Sequence, residues 1–336
     1  MKWLKIILPA TLAVGIVVGF TARGTLLKKE DNCAFIERRE GLCKHVNPLL
    51  ECDIAQDVLT NQELRPFKEK IETYLNSCMD KRWASSVSVY FRDMDDGLSF
   101  SIGDTEKFVP ASLRKLPLMI ALLKTADKGG GNNLLDRSVK FDLARDYNAD
   151  QNVKPSQTLC PGHEYSVREL IRRMIVYSDN NAFTLLTKVV DPGEFDKVYR
   201  TLRIQNPRVR TDDDFLSVQT YASFLRVLYN ATYLGKDSSE WALETLSRSE
   251  FKSGIVEGVP PKVEVAHKFG EHSDSREGTV QLHDCGIVYY PGRPYLLCVM
   301  SKGAKFEFLD DVIVEVSRRV FAEVDKQQRE KKNGEH

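Results

Sequence analysis

From Pro66 onward the apolar positions follow two periods. Phe67, Ile71, Tyr74 and Leu75 recur at helical spacing and predict a helix from Pro66 to Cys78. Val87, Val89 and Phe91 alternate with polar residues, Asp95-Asp96-Gly97 supplies a turn, and Leu98, Phe100 and Ile102 alternate again, which is the signature of a β-hairpin. A helical pattern then opens at Ser112 and carries Leu113, Leu116, Met119, Ile120 and Leu123; Pro117 falls near its first turns, where a missing N–H costs least. Three glycines at 129–131 stop it. Ser166-Val-Arg-Glu169 reads as a capping box, and the helix behind it presents Val167, Leu170, Ile171, Met174 and Ile175 on one face. That helix ends just before Ser178, another is expected from Asn181 to Val190, and Asp191-Pro-Gly ends it. Helical pattern returns from Leu216 to Leu228.

Val263 and Val265 then alternate, and His283 to Tyr290 and Tyr295 to Ser301 form a second hairpin across Pro291-Gly292. Leu309 to Val324 reads as an amphipathic closing helix, and the charged tail 326–336 is expected to be disordered. Two strands, many helices, three strands and a last helix imply an α/β fold of the α+β type. One antiparallel sheet of about five strands is built from both chain ends, flanked by helices, with an all-helical subdomain inserted.

Ahead of this domain, assigned to residues 66–325, the pattern differs. Lys2 and Lys5 precede an apolar run, and residues 3–20 give 18 positions with one Lys near the edge. Residues 1–22 therefore read as a signal anchor or a cleaved signal peptide. Either one exports the remainder, so an extracytoplasmic location, in the periplasm or at the cell surface and anchored through residues 3–20, is expected. Residues 23–65 carry charge clusters and Cys33, Cys43 and Cys52, and read as a membrane-proximal spacer or a small disulfide-stapled subdomain. Pairs among these cysteines and Cys78 suit an oxidising compartment. Cys285 and Cys298, on two strands of one hairpin, read as small buried core residues. Lys+Arg and Asp+Glu are equal at 48 each, which gives no basic footprint for a nucleic-acid partner.

Three short motifs carry the chemistry: Ser112-Leu-Arg-Lys115, Ser178-Asp-Asn180 and Lys268-Phe-Gly270. A serine hydroxyl needs a base to become a nucleophile, and a lysine three residues on lies on the same helical face. The orphan N–H groups of a helix start can hold a developing oxyanion at Ser112. Lys115 can take the Ser112 proton if burial or a second cation lowers its pKa, and Lys268 is a candidate for that cation. Ser178 would shuttle the proton to a leaving nitrogen, and Asn180 would bind a substrate amide. Lys268 would bind a substrate carboxylate, Gly270 would admit a substrate backbone, and the N–H of Glu271 would be the second oxyanion donor. Each triplet alone is ordinary capping or turn chemistry; the ordered set, 63 residues from Lys115 to Ser178 and 88 from Asn180 to Lys268, is not.

The set resembles the serine β-lactamases of class A and their penicillin-binding relatives, over about residues 66 to 325, with support from Tyr165-Ser-Val-Arg-Glu-Leu-Ile and Gly286-Ile-Val-Tyr-Tyr-Pro-Gly-Arg. The resemblance implies a β-lactamase-like fold, acylation of Ser112 by β-lactams or D-Ala-D-Ala-type peptides, and no metal or cofactor. Two departures follow. Phe269 replaces the usual Thr or Ser, so a hydroxyl for the substrate carboxylate is missing; His272, Ser273 or Arg276 could substitute. The family's deacylating Glu, followed by a Leu-Asn pair, has no counterpart between Gln205 and Phe215, where Asp212, Asp213 and Asp214 are the nearest carboxylates. Acylation by β-lactams with slow turnover is expected. The alternative is a membrane-anchored receptor module that binds penicillin or peptide without turnover.

Overall fold

The computed structural model describes residues 44–47, 64–129, 133–204 and 215–334. The apolar run 3–20, Cys33, Cys43, Cys52 and Asp212 to Asp214 lie outside the described residues. Among the described residues no helix is long and apolar enough to cross a membrane.

Alternation along β1 (Ser86–Asp93), β2 (Ser99–Ile102), β5 (Val265–Asp274), β6 (Thr279–Val288) and β7 (Tyr295–Gly303) produces one antiparallel sheet in the order β2-β1-β7-β6-β5. The β1–β7 pairing, Val89 to Val299, joins the two chain ends, as the order of elements predicts. Both faces of the sheet are covered, so successive residues serve different cores. Val89, Phe91, Leu297 and Val299 pack with α1 (Arg65–Asp80) and α8 (Phe306–Gly334), where Phe67 meets Phe91 and Phe100 edge-on at 5.1 Å each. Tyr90, Leu296, Cys298 and Met300 face the helical subdomain.

That subdomain contains α2 (Lys115–Lys128), α3 (Val167–Val176), α4 (Asn180–Val189), α5 (Pro192–Thr201), α6 (Val218–Tyr229) and α7 (Lys236–Ser247), and a short β3–β4 pair (Ser138–Lys140, Glu164–Ser166) borders it. Helix α2 is its axis: the nine residues from Lys115 to Leu123 are all buried, because this stretch is apolar on every side. The Ser112 turn is thus attached to a fully buried stretch of helix.

The structure corrects several expectations. Ser112 does not open the α-helix; it lies in a single 3-10 turn, Ala111–Arg114, and α2 starts at Lys115. Pro117 has no N–H to give to the carbonyl four residues back, so the α-helical ladder starts late. The charged tail is not disordered: α8 runs on to Gly334, with Arg329–Asp325 at 2.8 Å and Lys326–Glu330 at 3.7 Å one turn apart. Cys78 is a free, fully buried core residue rather than a disulfide partner, and Cys285 and Cys298, opposite each other on β6 and β7, are joined by a disulfide.

The domain also reaches back beyond Pro66. Val46 is buried in the helical core, and Asn47 donates its N–H to Tyr229 O at 2.7 Å. The Glu240 carboxylate accepts the N–H groups of Lys44, His45 and Val46, while the buried His45 ring reaches Glu240 and Glu264 at 2.9 Å each. Burial opposes ionisation of Glu264, but hydrogen bonds from Lys44 and His45 prevail and hold its carboxyl down at about 2. Residues 44–47 are therefore part of the domain and not of a spacer.

Candidate active site

Ser112 and Ser178 both sit at breaks in regular structure. The chain enters the 3-10 turn through Ala111 at φ +47°, and Ser178 follows the end of α3 at φ +55°. Both are left-handed conformations that side chains with a Cβ rarely adopt, and both flank the polar centre. Asp179 caps α4 by accepting from the N–H groups of Asn181 and Ala182. Asn148 completes the brace, donating to Asp179 Oδ1 at 3.1 Å and accepting from Asn180 N at 2.7 Å.

The three motifs converge on one chain of contacts. Lys115 Nζ lies 3.0 Å from Ser112 Oγ, 3.0 Å from Ser178 Oγ and 2.6 Å from Ser178 O. Lys268 Nζ lies 3.0 Å from the same Ser178 Oγ and 2.9 Å from Phe269 O. Both amines are buried, and that is the main reason their pKa values fall. Lys115 drops well below the ordinary lysine value through burial and then the Lys268 charge. Lys268 falls to about 7 through burial, opposed by Asp284 and Glu271. Ser178 Oγ thus bridges the two amines at 3.0 Å from each.

A cleft of about 380 Å³ opens over this centre, lined by Ser112, Lys115, Tyr147, Asn180, Glu271 and His272, with Arg114, Phe183 and Thr184 on the helical side. Asn180 donates its side-chain amide to Tyr147 O at 3.1 Å. Glu271 reaches across with its side chain: Oε1 accepts the N–H groups of Asn152 at 2.8 Å and Val153 at 3.0 Å. Among the described residues no group of three or more His, Cys, Asp or Glu side chains is placed to hold a metal ion.

Three sequence-assigned binding residues are placed differently. Lys268 is fully buried and does not line the cleft. Gly270 faces the turn that carries Ser112: a Cβ there would stand 3.1 Å from Pro110 O and from Leu113 Cγ. Its bare Cα admits the 3-10 turn, where the sequence reading expected a substrate backbone. Arg276 lies in the β5–β6 turn with its side chain 80% exposed, 3.4 Å from Asp274, and His272 rather than Arg276 lines the cleft. Tyr147, Asn148 and Gln151, which donates to Ser178 O at 2.9 Å, join the site from a polar loop with no periodicity to mark them in the sequence.

The model of the beta-lactamase enzyme family matches residues 66–324. The chain belongs to that family. Its fold is that of the class A β-lactamases and of the penicillin-binding protein PBP-A. A PBP-A point mutant solved as the acyl-enzyme complex with penicillin G superposes with a TM-score of 0.64 at 22% identity, over 78% of this chain and 97% of that one. A β-lactamase from Chitinophaga pinensis gives 0.64 at 21%, over 76% and 99%, and the TLA-1 extended-spectrum β-lactamase 0.63 at 18%, over 75% and 97%. No curated protein matches the chain.

The buried amine at the centre of this β-lactamase-family site has a thermodynamic consequence. The folded pKa of Lys268, about 7, lies below the unfolded value near 10.5, so the unfolded chain binds more protons between the two. Its burden on stability is full below pH 7 and fades as pH rises toward the unfolded value. Lys268→Met is therefore expected to gain stability relative to the parent at pH 6 and to lose that gain by pH 10. Thermal melts at the two pH values check this; a gain that grows with pH would refute it.

Proposed function

We propose that this protein is an acylating serine hydrolase acting on β-lactams or D-Ala-D-Ala-type peptides. The observation that carries the reading is the unbroken Ser112–Lys115–Ser178–Lys268 contact chain, closed at 3.0 Å or less with a neutral-tending amine beside the nucleophile. Ser112 Oγ attacks the carbonyl carbon as its proton passes to Lys115 Nζ. The oxyanion forms next to the backbone N–H groups of the 3-10 turn and of Glu271. Lys115 returns the proton through Ser178 Oγ to the departing nitrogen, the C–N bond breaks, and an ester on Ser112 remains. Lys268 steadies Ser178 and, by its charge, keeps Lys115 free of a proton.

Release of that ester needs a water and a base. The segment 205–214 offers no glutamate, and the Glu271 Oε1 of the cleft is held by two backbone N–H groups. This favours a long-lived acyl-enzyme. The apolar run 3–20 and the Cys285–Cys298 disulfide support an extracytoplasmic site of action.

Intact-mass spectrometry after incubation with penicillin G is the direct test. One adduct per chain is expected on the wild type and none on Ser112→Ala, with a burst of one equivalent before a slow steady state. The second-order rate should fall as pH rises through about 7, where Lys268 loses its charge. An adduct that persists in Ser112→Ala, or sustained fast hydrolysis, would overturn the reading.

A further inference from the structure

A substrate carboxylate next to the scissile bond needs a cation it can reach. Lys268 is the residue that the sequence offers, yet its ammonium is fully buried and two of its donors are directed at Ser178 Oγ and Phe269 O. The Phe269 ring covers it at 4.2 Å and is itself stacked on Phe251, with centroids 4.1 Å apart and planes inclined by 19°. An aromatic pair thus stands where a hydroxyl would help to receive an anion.

Three residues along β5, the side chain that does line the cleft is Glu271. Its Oε1 is fixed by the N–H groups of Asn152 and Val153, in the loop between β3 and β4, so the carboxylate is held at the cleft rather than free to swing away. Its charge acts on both amines, favouring the protonated form of each. Of the other ionisable groups in the cleft wall, Arg114 lies against the Phe183 ring of α4 with Nε directed at Ala111 O, and His272 is the neighbour of Glu271 on β5.

We propose that Glu271 makes this a site for substrates without a free carboxylate beside the scissile amide: an internal peptide bond, or a chain end masked as an amide or ester, is acylated in preference to a free C-terminal acid. The inference rests on the acyl-serine reading above. A substrate carboxylate brought against Glu271 sets two like charges together at the cleft wall, which is repulsive. An amide N–H in that place instead gives the Glu271 carboxylate a donor.

The test compares penicillin G with its methyl ester, following adduct mass on Ser112 and dividing each rate by that compound's hydrolysis rate in hydroxide. The wild type is expected to favour the ester by about tenfold or more. Glu271→Gln keeps the oxygen that accepts from Asn152 and Val153 but removes the charge; it should raise the rate with the free acid and collapse the ratio, with an unchanged melting temperature. A wild-type preference for the free acid, or a ratio that Glu271→Gln leaves intact, overturns the proposal while the acyl-serine reading stands. No adduct with either compound sinks the acyl-serine reading, and the selectivity falls with it.

Discussion

Lys115→Met is expected to slow acylation of Ser112 by about 10²- to 10⁴-fold, the range for loss of a positioned general base. Lys115 is the only amine within hydrogen-bond distance of the Ser112 hydroxyl among the described residues, at 3.0 Å, and it is also the first partner of Ser178. Its removal takes away both the acceptor for the nucleophile's proton and the start of the relay to the leaving nitrogen. Methionine suits the site sterically, being of similar length and at home in a buried position. The substitution relieves the burial of an amine, so folding should survive it. Stopped-flow acylation with a chromogenic β-lactam, compared with the melting temperature, measures the effect. A loss below tenfold in a folded variant would assign the base to another group.

The second large effect is on stability. Asp284→Ala is expected to destabilise the fold by about 2–6 kcal/mol, since each of two buried polar groups left without its partner costs about 1–3 kcal/mol. Asp284 is fully buried on β6. Its Oδ1 meets His267 Nδ1 at 2.8 Å, and its Oδ2 accepts the N–H of Ile255 at 3.0 Å. Alanine would leave the imidazole and the Ile255 N–H buried with no partner in that direction. Domains are stable by only about 5–15 kcal/mol, so the loss is a large share. Urea unfolding should show a lowered midpoint with an unchanged slope, and Asp284→Asn, which retains an acceptor oxygen, should lose less. Equal midpoints for the parent and Asp284→Ala would contradict this account. The same residue anchors the segment that carries Phe251, the ring stacked on Phe269, and Ile255 O in turn accepts from Ser317 Oγ of α8 at 2.8 Å. The contacts of Asp284 therefore support the Phe251–Phe269 stack that covers Lys268.

Much of the fold is legible in the apolar spacing. The strands of the sheet and helices α1, α3 and α4 lie where periods of two and near four place them, because each has one distinct apolar face. Helix α7 escaped notice, since its buried positions include Ser239 and Thr245 and so break the apolar signal. Residues 44–47 were misplaced for a related reason: their partners, Glu240 and Glu264, lie about two hundred residues away. In the site, the motif residues Ser112, Lys115, Ser178 and Lys268 could be named from the chain alone. Which of them a substrate can touch could not be, because exposure depends on what folds over them.

The sequence by itself determined the sheet-and-helix pattern, the three motifs and their order, since local propensity and spacing encode those. It also determined the substitution of Phe for a hydroxyl residue at 269. Only the tertiary structure decided how the parts are used. Burial, not residue type, holds Lys115 well below the ordinary lysine value and moves Lys268 to about 7. Packing of β5 against the Ser112 turn assigns the bare face of Gly270 to the protein itself. The crossing of the loop between β3 and β4 over the cleft gives the Glu271 side chain a place there, where the sequence had assigned it only a backbone N–H. Each of these depends on neighbours far apart in the chain, and their desolvation and charge exist only once the fold brings them together.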